Sequence, residues 1–159
     1  MEGRRLYIRL GLGLTGSSIL INFPTYLAAL LGAGRFCVAG LWATYSAHHF
    51  VRSRAITCGV AGVLDVDVNS LEALTRCDVL LIVPCTANML AKIASGLPDD
   101  PVSLAVLSAP VPVAIAPAMH RQMWFSPATQ RSVAKLVEYG HVIILPGPGK
   151  TPGWLCQIR

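Results

Sequence analysis

Four short stretches of this 159-residue chain carry side chains suited to chemistry. Gly13-Leu14-Thr15-Gly16-Ser17-Ser18 is a small-residue turn rich in hydroxyls. Thr44-Tyr45-Ser46-Ala47-His48-His49-Phe50 repeats the theme and adds two histidines. Pro84-Cys85-Thr86-Ala87-Asn88 closes an apolar run, and Pro117-Ala118-Met119-His120-Arg121-Gln122-Met123-Trp124 follows about one strand–helix unit later. Hydroxyls beside the free amides of a helix start bind anions. The plainer alternative for the first stretch is a turn with a serine helix cap. It is not a Walker loop, because no Gly-Lys-Ser/Thr follows. His48 and His49 are adjacent, so on a helix they point in different directions, which argues against a metal pair. His49 faces either a ligand cleft or the surface. Thr86 reads as a helix cap after a proline-ended strand. Taken alone, Met119, Met123 and Trp124 read as packing.

The elements that must position these stretches alternate. Leu6 to Leu14, Phe36 to Ala43, Asp78 to Val83, Val111 to Ile115 and Val142 to Leu145 read as apolar strands. Helices are predicted over Ser17 to Leu31, Ser46 to Arg54, Thr86 to Ser95, Asp100 to Ser108 and Pro127 to Tyr139, with Gly32, Gly34, Gly96 and Gly140 as stops. Leu71 to Arg76 is a helical turn, and Ile56 to Val68 one short strand with an irregular connection. Strands that are apolar throughout, separated by helices, predict a parallel sheet covered on both faces. The fold class is therefore α/β, a Rossmann-like or flavodoxin-like single domain over residues 1–159, with about the last 14 residues as a short tail. Open sheets of this kind bind ligands beyond the carboxyl ends of their strands. All four stretches fall there.

Composition narrows the classes further. The chain is 53% hydrophobic and 13% charged, which suits buried strands or an oligomer with apolar faces. The net charge is +5, but the 13 basic residues are scattered, with no run beyond Arg4-Arg5. That pattern fits a small anionic ligand and gives no reason to expect nucleic acid. Residues 10–34 carry no charge and are long enough to span a bilayer. Gly11, Gly13, Gly16 and Pro24 break that run, so neither a membrane span nor a signal peptide is expected. Five cysteines, an odd number without a C-x-x-C pair, argue against disulfides and a zinc site, and for a reducing cytoplasm. No metal is expected.

In order and separation, the stretches at 84–88 and 117–124 resemble the paired loops of the homo-oligomeric flavin-containing cysteine decarboxylases. There, P-[AS]-[ST]-A-N and P-x-M-N-x-x-M-W lie on either side of flavin and substrate. Asn88-Met89-Leu90-Ala91-Lys92-Ile93-Ala94-Ser95-Gly96-Leu97-Pro98-Asp99-Asp100 and Ser126-Pro127-Ala128-Thr129-Gln130 are similar to the runs that follow each loop. Thr44 to Phe50 is similar to the family's T-x-S-A-x-x-F segment. The resemblance covers about residues 5–147. It implies flavin contacts at Thr15, Gly16, Ser17, Ser18, Thr44, Ser46, Phe50, Pro84, Thr86, Ala87, Asn88 and Ser103. It implies substrate contacts at Asn88, Met119, His120, Met123 and Trp124, and catalytic roles for Asn88, His120 and His49. The flavin would be FMN, with FAD as the alternative, and the assembly a homotrimer or homododecamer.

The implied chemistry is removal of two electrons from a cysteine side chain, which makes a thioaldehyde. That group then takes up the electrons left when CO2 departs. The substrate would be the C-terminal cysteine of a ribosomally made precursor peptide, leaving an aminoenethiol. The alternatives are phosphopantothenoylcysteine decarboxylation and a non-catalytic flavin-binding role. The chain departs from the pattern in places. His120 stands where the family has Asn, and imidazole can donate to a carboxylate in its stead. The family's active-site histidine falls on Ser70, so His48, His49, His120, Asp65 or Asp67 substitutes, or the reaction proceeds without that base. Cys85 replaces a small residue and is not read as a nucleophile. The A-C-G-D segment of the coenzyme A enzyme is absent, Cys156 in Trp154-Leu155-Cys156 being a poor match.

Overall fold

The computed structural model describes residues 7–52 and 70–144, without the side chains of Tyr26 and of residues 49–52. Five strands form one sheet: β1 (Ile8–Leu14), β2 (Phe36–Ala43), β3 (Val79–Cys85), β4 (Val113–Pro117) and β5 (Val142–Ile143). Their order is β2-β1-β3-β4-β5 and every pairing is parallel. The α-helices are α1 (Phe23–Gly32), α2 (Tyr45–Arg52), α3 (Ala87–Ser95), α4 (Pro101–Ser108), α5 (Arg121–Trp124) and α6 (Pro127–Glu138). The α/β reading holds. The chain reverses its direction of travel across the sheet between β1 and β3, and such a switch point opens a crevice at the carboxyl ends of the strands.

Two apolar layers hold the sheet. On one face Trp42, Leu80, Ile82 and Ile115 pack with Met89, Leu90 and Ile93 of α3, Val102 and Ala105 of α4 and Leu136 of α6. On the other, Leu10, Leu12, Leu14 and Leu41 pack with Leu20, Phe23 and Leu27. Alternation along β1 makes the division, because its leucines take one face and its glycines the other. A Cβ at Gly13 would stand 2.5 Å from Ile82 Cδ1 and 3.2 Å from Val102 Cγ1, so only glycine lets these layers close. Behind β3, the second face keeps an apolar cavity of about 280 Å³ between Phe23, Leu27, Leu81, Val83, Pro84 and Ala116.

Local chemistry ends the helices as expected. Gly96 sits at φ +68° after α3, in the left-handed region that glycine enters without strain. Asp100 caps α4, its carboxylate accepting from the N–H of Val102 at 2.9 Å and of Ser103 at 3.0 Å. Ser126 caps α6 through the Thr129 N–H at 3.2 Å.

Some boundaries differ from expectation. The helix predicted from Ser17 begins as a 3₁₀ segment, Ser18–Asn22, and becomes α-helical only at Phe23. Pro24 explains this, because proline fits the first turn of an α-helix and not its interior. β3 runs on through Pro84 to Cys85, where Val83–Pro84 is cis and the register against β4 slips between Ile82 and Cys85. β4 begins at Val113, two residues later than expected from Val111. The strand expected within Ile56 to Val68 lies outside the described residues. The uncharged run 10–34 divides into β1, a turn, the 3₁₀ segment and α1, and no helix among the described residues is long and apolar enough to cross a membrane.

Candidate functional site

Three strand-to-helix turns meet at the carboxyl ends of β1, β2 and β3. The turn after β1 touches the turn after β2 at Gly16, where any Cβ would collide with Ser46. It touches the turn after β3 through Thr15. That side chain donates to the Pro84 carbonyl at 2.7 Å and accepts from the Thr86 N–H at 3.1 Å. Thr44 and Ser46 share a hydroxyl contact at 3.1 Å, and Thr44 Oγ1 accepts from the Ala47 N–H at 3.2 Å. Thr86 caps α3, its hydroxyl accepting from the Met89 N–H at 3.3 Å. The starts of α2 and α3 thus face one cleft of about 740 Å³. Its rim carries hydroxyls and free helix amides, a donor set suited to an anion.

The fourth wall comes from the segment after β4. Ala118, Met119, His120 and Met123 line it, beside the turn after β3, where the Ala118 N–H donates to the Cys85 carbonyl at 2.8 Å. His120 caps the short helix α5, with Nδ1 accepting from the Gln122 N–H at 3.3 Å. An imidazole whose Nδ1 accepts presents an N–H at Nε2. His120 and Asn88 are both exposed, which leaves their polar ends open to a ligand. An ion cluster also lines the cleft: Lys92 Nζ lies 2.8 Å from Asp99 and 3.0 Å from Asp100. Hydrogen bonds to these carboxylates hold the Lys92 ammonium above its ordinary range, and Lys92 holds Asp99 below its own.

A hydroxyl-rimmed cleft at the β1/β3 switch point, faced by an amide and an imidazole, agrees with the family whose sequence pattern runs from residue 2 to residue 155. The chain belongs to the Flavoprotein family. Among solved structures, this flavoprotein is similar to the FMN-dependent cysteine decarboxylase SpaF, at 33% identity and a TM-score of 0.78, over 91% of this chain and 87% of that one. It is also similar to the FMN-dependent cysteine decarboxylase TvaF from thioviridamide biosynthesis, at 26% identity and a TM-score of 0.74, over 87% and 90% of the two chains. Among curated relatives, the coenzyme A biosynthesis bifunctional protein CoaBC of Mycobacterium bovis is 41% identical over 78 residues, which are 49% of this chain and 19% of that protein. The chain spans about a fifth of the length of the curated relatives it matches.

The flavoprotein brings Thr15, Gly16, Ser17, Thr44, Ser46, Thr86, Ala87, Asn88, Met119, His120 and Met123 to one cleft. Other expected residues lie elsewhere. Ser103 is fully buried in the capping box of α4, where its hydroxyl bonds the Asp100 main chain, and it does not line the cleft. Pro84 lines the apolar cavity on the opposite face. Trp124 packs against the core, its carbonyl accepting from Gln130 Nε2 at 2.6 Å, and Ser18 opens the 3₁₀ segment. Met119 serves both purposes: it is 4% exposed within the core cluster and also borders the cleft. Of the candidates for the missing histidine, His120 lines the cleft and His48 does not; neither does Ser70, which stands at the family's histidine position. The side chains of His49 and Phe50, and all of Asp65 and Asp67, lie outside the described residues. So do Trp154 and Cys156.

Tyr45, 85% exposed, and Lys92, Asp99 and Asp100 also line the cleft, although no motif singles them out. Their signal was present in the Lys92 to Asp100 spacing. Cys85 is fully buried, and that burial pushes its thiol far up, which leaves no thiolate near neutral pH.

Proposed function

We propose that this chain is an FMN-dependent decarboxylase that acts oxidatively on the C-terminal cysteine of a ribosomally made precursor peptide and releases an aminoenethiol. The observation that carries the reading is the single cleft in which hydroxyl-bearing turns face Asn88 and His120. Similarity to SpaF and TvaF supports the reaction class, and the thioviridamide context of TvaF supports a peptide substrate.

The residues present fit the cofactor. Ser17, Thr44, Ser46 and the amides at the starts of α2 and α3 would hold the phosphate, and Thr86, Ala87 and Asn88 would border the ring system. A cleft of this size is within the range of cofactor sites. When bound, the flavin supplies the two-electron oxidation that makes the cysteine side chain able to accept the electrons released with CO2. His120 donates from Nε2 to the substrate carboxylate and fixes the bond that breaks. Asn88 orients the cysteine from the neighbouring turn. Met123 and Ala118 give that end of the cleft an apolar lining, which strengthens both hydrogen bonds. The enzyme assembles as a homotrimer or homododecamer in the cytoplasm, in keeping with its apolar composition.

Similarity to CoaBC supports a second reading, decarboxylation of phosphopantothenoylcysteine. A mass-spectrometric competition separates the two. Flavin-loaded protein is offered phosphopantothenoylcysteine and a set of peptides ending in cysteine. Loss of CO2 plus two hydrogens from a peptide is the expected outcome. Simple CO2 loss from the small substrate alone would overturn it in favour of the second reading, and no reaction with either would leave a non-catalytic flavin-binding role. In the same assay, Asn88→Ala and His120→Ala should each slow CO2 loss by about a hundredfold or more, as loss of a key donor does elsewhere. Full activity in both folded variants would remove these residues from the site.

A further inference from the structure

Thr15 lies in the turn whose hydroxyls the sequence offers to a phosphate. Its surroundings give it another task. The side chain is 1% exposed. A threonine hydroxyl has one proton, and that proton goes to the Pro84 carbonyl, so Oγ1 keeps no donor for an anion. The same oxygen accepts from the Thr86 N–H. Pro84 O and Thr86 N–H flank Cys85 in the way that the two partners of one parallel rung would. The main-chain pairing of β1 with β3 has ended by then, its last pair being Gly13 with Ile82. The Thr15 hydroxyl therefore extends the β1–β3 ladder by one rung after the backbones part. It does so at the switch point, directly before the residues that face the ligand.

From this geometry we infer that Thr15 is a positioning residue and not a phosphate ligand: its hydroxyl holds the Pro84–Asn88 turn in its flavin-binding shape. The inference rests on the flavin reading above. Without the hydroxyl, a buried carbonyl and a part-buried N–H lose their partner at once. The turn that carries Thr86, Ala87 and Asn88 is then free to shift.

The test compares full-length wild type with Thr15→Val, which keeps the shape, and Thr15→Ser, which keeps the hydroxyl. One readout is the FMN dissociation constant from quenching of flavin fluorescence. The other is hydrogen exchange of the Thr86 amide in the protein as purified. Thr15→Val should speed Thr86 exchange and weaken FMN binding by about tenfold or more each. Thr15→Ser should stay within about threefold of wild type on both. Unchanged exchange in a folded Thr15→Val, or faster exchange with unchanged FMN affinity, would overturn the inference. So would a serine variant that fails as the valine variant does, because the methyl group would then be the cause. If Thr15→Val does not fold, Thr15→Ser against Thr15→Ala decides by the same measures. A wild-type chain without FMN affinity would overturn the flavin reading, and Thr86 exchange would still judge the rung by itself.

Discussion

His120 and Cys85 show how much a side chain's role depends on where its polar atoms are spent. His120 uses Nδ1 to cap α5, as an asparagine oxygen at that place could, and keeps Nε2 for a ligand. A histidine at this place caps the helix and carries a donor further out than an asparagine side chain reaches. Cys85 sits within the Pro84–Asn88 loop, yet its thiol is fully buried. A thiol raised by burial attacks nothing at neutral pH. Native protein treated with iodoacetamide should carry the label on exposed Cys37 and none on Cys85, read by peptide mass. Cys85→Ala should leave turnover unchanged and cost about 1 kcal/mol of stability in urea unfolding, the price of a small cavity. Loss of turnover without loss of fold would restore a chemical role to the thiol.

The strand-to-helix turn is the repeating device at the scale of elements. β1, β2 and β3 each run into a hydroxyl-bearing turn, and α2 and α3 start with their first residues at the cleft. The turns after β1 and β2 meet so closely that Gly16 has no room for a methyl group. Gly16→Ala should force Ser46 away, with FMN affinity reduced by about tenfold and stability by about 1–3 kcal/mol, as overpacking does in cores. Affinity and thermal unfolding measured together would check this, and wild-type values for both would show that the turns are not in register contact. α4 acts differently. Its cap, Asp100, also takes Lys92 from α3, so one carboxylate ties the start of α4 to α3. The Ser103 hydroxyl completes the same capping box by bonding the Asp100 main chain.

Over the whole molecule, the second sheet face is covered by α1 beside β1 and left with an apolar cavity beside β3. Exposed apolar side chains such as Leu104, Leu107 and Phe125 occur elsewhere on the surface. Light scattering at micromolar protein should give three times the chain mass or a multiple of it, and a monomer would overturn the proposed assembly. Much of the fold was legible in the residues. Uninterrupted apolar strands require two covered faces, Gly96 and Gly140 stop helices by themselves, and hydroxyl caps declare helix starts from neighbouring atoms. These are local effects, so the order of residues is enough to set the parallel α/β class and the stretches that form the site. The tertiary structure alone decided what each side chain does there. Thr15 meets Pro84 and Thr86, 69 and 71 residues away, only because β3 lies beside β1 in the sheet. Met119 splits its surface between core and cleft for a similar reason. Strand order is set by the packing of every element at once, and no short stretch of chain records it.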